Sequence, residues 1–121
     1  MSESDTPSSE ALLRMIAALA NPHRLRVVAA LAERRQYVSE LARTLRISRP
    51  LVNVHLQKLQ AAGLVTSTLE LSRDGKAMNY YEVTPFTLVL TPWSIRAALR
   101  EGDADGAATR PDPGTEDSHG G

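Results

Sequence analysis

The chain has 121 residues and no cysteine, which excludes disulfides, thiolate metal sites and cysteine nucleophiles. The length suits one domain, and with neither a signal sequence nor an apolar run of membrane-spanning length we expect a cytoplasmic protein without membrane contact. The zero net charge hides a basic body between acidic ends: residues 11–100 carry thirteen Lys and Arg against five Asp and Glu. That surplus of positive charge indicates a polyanionic partner.

The first third of the chain predicts two helices. Residues 1–9 are polar and are predicted to form a disordered N-terminal arm, and a helix follows over about 10–20 with Ser8 or Ser9 as its cap. Asn21-Pro22 then starts a second helix that ends near Glu33, because asparagine is a good cap and proline is tolerated in the first turn.

The middle of the chain has the pattern of a helix-turn-helix. Residues 39–45 predict a short helix, and residues 49–62 predict a longer one with Ser48 as its cap and Gly63 as its left-handed stop. A β-branched stretch follows at once. Helix, tight turn, helix and strand in this order are typical of proteins that bind double-stranded DNA.

The last third predicts a hairpin and a final helix. Residues 64–71 and 78–83 are predicted strands around the turn residues Asp74-Gly75, and residues 86–91 again alternate like a strand. Thr91-Pro92 is predicted to begin a helix that ends near residue 100. We therefore predict a mainly α winged helix-turn-helix, in the order α-α-α-α-β-β-α, over residues 10–101, and a disordered acidic tail over residues 102–121.

The DNA-contacting residues are predicted on the longer helix of the pair. Val52, Leu56 and Leu59 are spaced to face the core, while Arg49, Asn53 and Gln57 share another stripe. Arginine suits guanine edges in the major groove, and asparagine and glutamine suit adenine. The predicted contacts are Ser48, Arg49, Pro50, Asn53, His55, Gln57 and Lys58 on this helix, and Arg73 and Lys76, which meet phosphates or the minor groove at the hairpin tip. For His55, a packed position in the helix is the equal alternative.

The first and last helices predict a homodimer. Both are apolar on more than one side, and one small domain has too little core to bury both of them. Pairing across a two-fold axis removes this excess. The predicted interface residues are Leu12, Leu13, Ile16, Trp93, Ile95 and Leu99.

Several short segments together resemble the ArsR/SmtB family of bacterial winged-helix repressors. They are Leu19 to Arg26, Ser39 to Ala42, Ser48 to Leu59, Ala62 to Val65, and the Asp74-Gly75 turn followed by Tyr80-Tyr81. The resemblance implies a homodimer that binds an inverted-repeat operator with the helix from Ser48 and with a wing over 73–76. Family members often sense metals. The family's cysteine pair is absent here, and residues 93–100 contain neither the histidines nor the acids of its last-helix zinc site.

What controls the regulator stays open at this stage. A sensor limited to His, Asp and Glu ligands suits nickel or zinc, with His23 and His119 as weak candidate ligands and the nickel-responsive actinobacterial branch of the family as the first to test. Control by a regulatory partner protein is a second version, and a protein–protein adaptor that docks through the winged helix is a different class. No catalytic motif occurs in the sequence, so we do not expect an enzyme.

Overall fold

The computed structural model describes residues 8–106, with side chains as far as residue 100. The described residues form two compact units, one of residues 13–88 and one that combines residues 8–12 with residues 89–106. The elements are α1 (Ser9–Leu19), α2 (Pro22–Glu33), β1 (Gln36–Tyr37), α3 (Val38–Leu45), α4 (Arg49–Ala61), β2 (Val65–Leu71), β3 (Ala77–Val83) and α5 (Pro92–Gly106). No helix among residues 8–106 is both long and apolar enough to cross a membrane.

The helix boundaries follow the capping residues seen in the sequence. Oδ1 of Asn21 accepts hydrogen bonds from the backbone N–H of His23 and of Arg24, at 2.9 and 3.1 Å, and so caps α2. Oγ of Ser48 accepts from the backbone N–H of Leu51 at 3.3 Å and caps α4. Gly63 follows α4 with a φ of 77°, a conformation that glycine adopts without strain. These predicted boundaries are confirmed.

The sheet contains one strand more than the sequence predicts. The three strands lie in the order β1-β3-β2, and both pairings are antiparallel. β1 is only two residues long and pairs Gln36 with Tyr81 and Tyr37 with Tyr80, so it is too short to give an alternating pattern. In the hairpin between β2 and β3, the N–H of Gly75 donates to the carbonyl of Ser72 at 2.9 Å, as predicted for a tight turn.

The core of residues 13–88 is made by the end of α1, by α2, α3 and α4, and by the start of β2. Packing these elements together fixes α4, which carries the predicted DNA contacts, against the rest of the unit. Because the residues at its centre are almost fully buried, truncating one of them to Ala is expected to cost about 2–5 kcal/mol of stability. The buried cluster consists of Ala18, Val27, Leu31, Leu41, Leu45, Val52, Leu56, Leu59, Leu64 and Val65.

The unit that contains α5 agrees with the sequence-based prediction at the start of this helix and differs from it at the end. The N–H of Ser94 donates to Oγ1 of Thr91, and the N–H of Thr91 donates to Oγ of Ser94, both at 2.9 Å, which confirms the predicted helix start. However, α5 continues to Gly106, past its predicted end near residue 100, so residues 102–106 are not part of a disordered tail. Gly102 does not stop the helix, because an interior glycine costs only about 1 kcal/mol.

Two other predictions concern residues 86–91 and the two ends of the chain. The alternating residues 86–91 form no strand, because no neighbouring strand pairs with them in the described sheet. The predicted arm is shortened by α1, which starts at Ser9. The remainder of both predicted disordered segments, residues 1–7 and 107–121, lies outside the described residues.

Candidate nucleic-acid interface

The turn between α3 and α4 sets the angle at which α4 is presented. α3 ends at Leu45 and is capped by Arg46, whose φ of 60° is left-handed and whose N–H donates to the carbonyl of Ala42 at 2.8 Å. A non-glycine residue in this region carries a backbone strain of about 1–2 kcal/mol. Arg26 on α2 adds a bond from Nη2 to the carbonyl of Leu45 at 3.3 Å. Both bonds hold the end of α3, and α4 begins three residues after Arg46, at Arg49.

The surface of α4 separates into a buried side and a solvent side. Val52, Leu56 and Leu59 are buried, as their spacing predicts. The predicted base-contacting residues Arg49, Asn53 and Gln57 are exposed, and so are Ser48, Pro50 and Lys58. From residue 41 to residue 69 the chain has four basic residues and no acidic one. The exposed side of α4 therefore carries polar and basic side chains and no negative charge, and the apolar side chains of Leu51 and Val54 are exposed as well.

His55 does not lie on this exposed side. Its side chain is only 7% exposed and is packed toward α2, so the prediction of a direct DNA contact is corrected in favour of the packed alternative. Nη1 of Arg24 lies 3.4 Å from Nδ1 of His55, and Nε of the same arginine donates to the carbonyl of Ala18 at 2.7 Å. The ring of His23 is 5.4 Å from that of His55. A polar residue thus completes the packing between α2 and α4.

The surroundings of His55 favour its neutral form. Burial lowers the pKa of His55 below the ordinary value of 6.5. The positive charges of Arg24 and Lys58 and the nearby ring of His23 lower this pKa further. A neutral ring also leaves Nδ1 free to accept a hydrogen bond from Arg24. Protonation of His55 would therefore oppose the packing of α4 on α2.

The tip of the hairpin carries the predicted wing contacts. Arg73 and Lys76 are exposed on either side of the turn. Between them, the carboxylate of Asp74 accepts a hydrogen bond from the hydroxyl of Ser72, which lowers the pKa of Asp74. Oγ of Ser72 also accepts from the backbone N–H of Lys76 at 3.1 Å. The one acidic side chain of the tip is therefore engaged within the turn, while both basic side chains extend into solvent.

A group of residues that the sequence did not single out holds the base of the wing. Arg35 donates from Nη1 to Oε2 of Glu70 at 2.6 Å and from Nη2 to Oε1 at 2.9 Å. Cζ of Arg35 also lies 4.4 Å from the centre of the Tyr80 ring, and Tyr37 packs edge-on against Tyr80 at 5.4 Å. These four residues, the wing brace, connect β2 and β3 to the segment after α2. The pattern has no sequence signal, because Arg35 and Glu70 are far apart in the chain.

The histidines of the described region do not fit a metal site. Within residues 8–100 no group of three or more potential ligands comes together. Nδ1 of His23 is buried and has no hydrogen-bond partner, but its neighbour His55 faces the guanidinium of Arg24, whose positive charge disfavours a divalent cation. The other candidate ligand, His119, lies outside the described residues.

The predicted dimer residues are mostly exposed in the single chain. On α5, Trp93 is 71% exposed and Leu99 is 52% exposed, and Ile95 is exposed as well. On α1, Leu13 is exposed and Ile16 is partly exposed. Leu12 is already buried within the chain, so the expectation that it takes part in an interface is corrected. Five of the six predicted residues thus remain available to a partner.

Comparison with known proteins places this architecture in a family. The family model for bacterial regulatory proteins of the arsR family matches residues 21–67, from the cap of α2 to the start of β2. An uncharacterised HTH-type transcriptional regulator of Methanocaldococcus jannaschii is 37% identical over 75 residues, which cover 62% of this chain and 78% of that protein. The chain belongs to the ArsR family. It is a winged helix-turn-helix transcription regulator, and the prediction that it is not an enzyme is confirmed by the family and its members.

Two further similarities support this assignment to the ArsR family. The HTH-type transcriptional repressor SmtB of Mycobacterium tuberculosis is 39% identical over 66 residues, which cover 54% of this chain and 46% of that protein. The chain thus spans about half the length of this relative. A homodimeric winged helix-turn-helix DNA-binding domain of Mycobacterium bovis, solved by NMR, superposes with a TM-score of 0.56 at 25% identity and 82% coverage of both chains. The predicted winged-helix fold is confirmed.

Proposed function

We propose that this ArsR-family regulator binds an inverted-repeat operator as a homodimer, with α4 in the major groove and the wing on the flanking backbone. The observation that carries the proposal is the exposed stripe of Arg49, Asn53 and Gln57 on a helix capped at Ser48. These side chains offer the donors and acceptors that distinguish guanine and adenine edges. In this role the protein works beside the chromosome, in the cytoplasm.

Sequence choice and affinity come from different parts of this surface. The stripe on α4 contributes base contacts, whereas Arg73 and Lys76 at the wing tip contribute phosphate contacts, which do not depend on sequence. Residues 41–69 contain four basic residues and no acidic one, and this positive charge attracts DNA of any sequence. The division predicts that α4 variants change specificity and that wing variants change overall affinity.

A homodimer agrees with the exposed apolar side chains of α5. Trp93, Ile95 and Leu99 leave more apolar surface in solvent than a helix at the end of a monomer normally does. The superposed Mycobacterium bovis domain is described as homodimeric. A two-fold dimer presents two copies of α4, which is the reason to expect an inverted repeat.

The proposal for the signal that controls the regulator limits where the ligands of a metal can come from. Since the described histidines do not fit a metal site, a nickel or zinc sensor requires ligands from residues beyond 100, such as His119, or from the second protomer. Calorimetric titration with nickel and with zinc tests this version directly. Binding heat that the wild type shows and the variant His119→Ala lacks supports the metal-sensor version. If neither metal gives binding heat with the wild type, that version is wrong and control by a partner protein remains.

The DNA-binding proposal is tested by selection and by salt dependence. Repeated selection from a random double-stranded DNA library is expected to enrich an inverted repeat. Affinity for that operator should fall steeply with salt, and the Arg73→Ala, Lys76→Ala double variant should make the slope shallower by up to about two phosphate contacts.

The outcomes separate the proposal from the adaptor alternative. The control variant Arg96→Ala replaces one exposed arginine of α5, which removes a basic charge outside the wing and should leave the slope nearly unchanged. If selection enriches no sequence and binding is no stronger than for an unrelated protein of the same charge, the DNA-binding proposal fails. A winged helix that serves as a protein adaptor would give that result.

A further inference from the structure

Val54 is an exposed branched apolar side chain close to the centre of the exposed side of α4, and Leu51, which lies toward the edge of that side, is exposed as well. The buried residues of this helix, Val52, His55, Leu56 and Leu59, occupy one side of it. With about 100° between successive residues, the positions diametrically opposite are Pro50, Val54, Gln57 and Ala61. Val54 is 45% exposed, and the residues one turn away from it on the helix surface are Pro50, Leu51, Gln57 and Lys58.

The position of Val54 is not explained by packing within the chain. The core cluster and the partly buried residues that surround it do not include Val54. The residues one turn from Val54 include the polar Gln57 and the basic Lys58, so an apolar protein partner would have to desolvate this basic surface. The same basic surface suits a DNA groove, in which an apolar contact is available beside the polar edges of the bases.

We propose that Val54 recognises a thymine in each half-site by contact with its 5-methyl group. Thymine carries the one apolar group on the major-groove edges of unmodified base pairs. A valine in a helix keeps essentially one χ1 rotamer, so its two methyl groups are oriented before binding. The inference rests on the proposed function, since it requires α4 to lie in the major groove. It adds a specificity residue to the polar stripe of Arg49, Asn53 and Gln57.

The chemistry permits a test that removes a single methyl group from the DNA. Each thymine of the selected operator is replaced, one position at a time, by deoxyuridine, which keeps every hydrogen-bonding group. For the wild-type protein, we expect about fourfold weaker binding at one position in each half-site, because a buried methyl group is worth about 0.8 kcal/mol. At the other thymines the replacement should have little effect.

The variant Val54→Ala, which is changed in both protomers, should bind the original operator about as weakly as the wild type binds an operator demethylated at that position in both half-sites, and should not respond to deoxyuridine there. Its melting temperature should not fall, since Val54 is exposed and Ala has the higher helix propensity. Leu25→Ala is the matched control, because Leu25 is an equally exposed apolar residue on α2. This control should keep the full methyl preference.

The results distinguish failure of the inference from failure of the proposed function. An unchanged deoxyuridine penalty in Val54→Ala, or no penalty at any thymine for the wild type, overturns the role of Val54 while operator binding stands. If no operator is enriched at all, the DNA-binding proposal fails first, and the role of Val54 falls with it.

Discussion

Arg35 and Glu70 form a bidentate ion pair, with N–O distances of 2.6 and 2.9 Å, that ties the wing to the segment after α2. The pair is at the surface, where such pairs contribute little to the stability of the whole fold. Its consequence is local: it fixes the base of the hairpin whose tip carries Arg73 and Lys76. We therefore expect the pair to matter for DNA binding more than for unfolding.

The variant Glu70→Gln tests whether the wing brace positions the wing. Removing a negative charge should by itself strengthen DNA binding, whereas a misplaced wing should weaken it. We predict roughly two- to fivefold weaker operator binding and a shallower salt slope, because part of the wing's phosphate contact is lost. Titration by fluorescence anisotropy at several salt concentrations measures both.

Glu82→Gln is the matched control for that variant. Glu82 is exposed on β3 of the same sheet and takes no part in the ion pair with Arg35. Its replacement should leave DNA binding unchanged or slightly stronger. If Glu70→Gln and Glu82→Gln behave alike, the ion pair does not position the wing.

His55 makes the stability of the protein depend on pH. The pKa of His55 is lowered in the folded protein, so the unfolded chain binds a proton more readily. The contribution of His55 is complete above the unfolded value of 6.5 and is lost as the pH falls from there through the folded pKa. We predict lower urea midpoints at pH 5.5 than at pH 7.5, because protonation places a positive charge on a buried ring and beside Arg24.

His55→Gln separates this effect from the titration of other groups. Glutamine keeps an acceptor that can face Arg24 but does not titrate in this range. The difference between the two midpoints should shrink in the variant, even if the variant is less stable at both pH values. An equal pH dependence of wild type and variant would show that another group is responsible.

The variant Trp93→Ala tests the predicted dimer interface. We expect Trp93→Ala to raise the dissociation constant of the dimer more than about tenfold, because large aromatic side chains dominate interface energies. Operator affinity should fall with it, since two linked copies of α4 are needed for an inverted repeat. Leu71→Ala, which removes an equally exposed apolar side chain from β2, should leave the sedimentation profile unchanged. A concentration-independent dimer in Trp93→Ala would refute the assignment.

The helices were predictable because their ends have local chemical causes. Asn21 and Ser48 satisfy backbone N–H groups within three residues, and Gly63 supplies a left-handed stop, so each signal is contained in a short segment. The stripe of Arg49, Asn53 and Gln57 likewise follows from helical spacing alone, and the structure leaves all three side chains exposed.

The remaining features depend on contacts between distant segments. β1 is too short for a pattern, and the pairing of Arg35 with Glu70 joins residues that no local rule connects. For His55, helical spacing left a DNA contact and a packed position as equal alternatives, and the structure puts it on the buried side with Val52 and Leu59. Arg24, which accompanies it there, could not be recognised as its partner from the sequence.

The central claim, that α4 selects the sequence, is tested most directly by comparing Arg49→Ala and Asn53→Ala on two DNAs. Each variant should lose about 1–3 kcal/mol of binding free energy on the selected operator and much less on random DNA of equal length at the same salt concentration. Equal losses on both DNAs would mean that the two residues contact phosphates, and the account of sequence choice by α4 would be wrong.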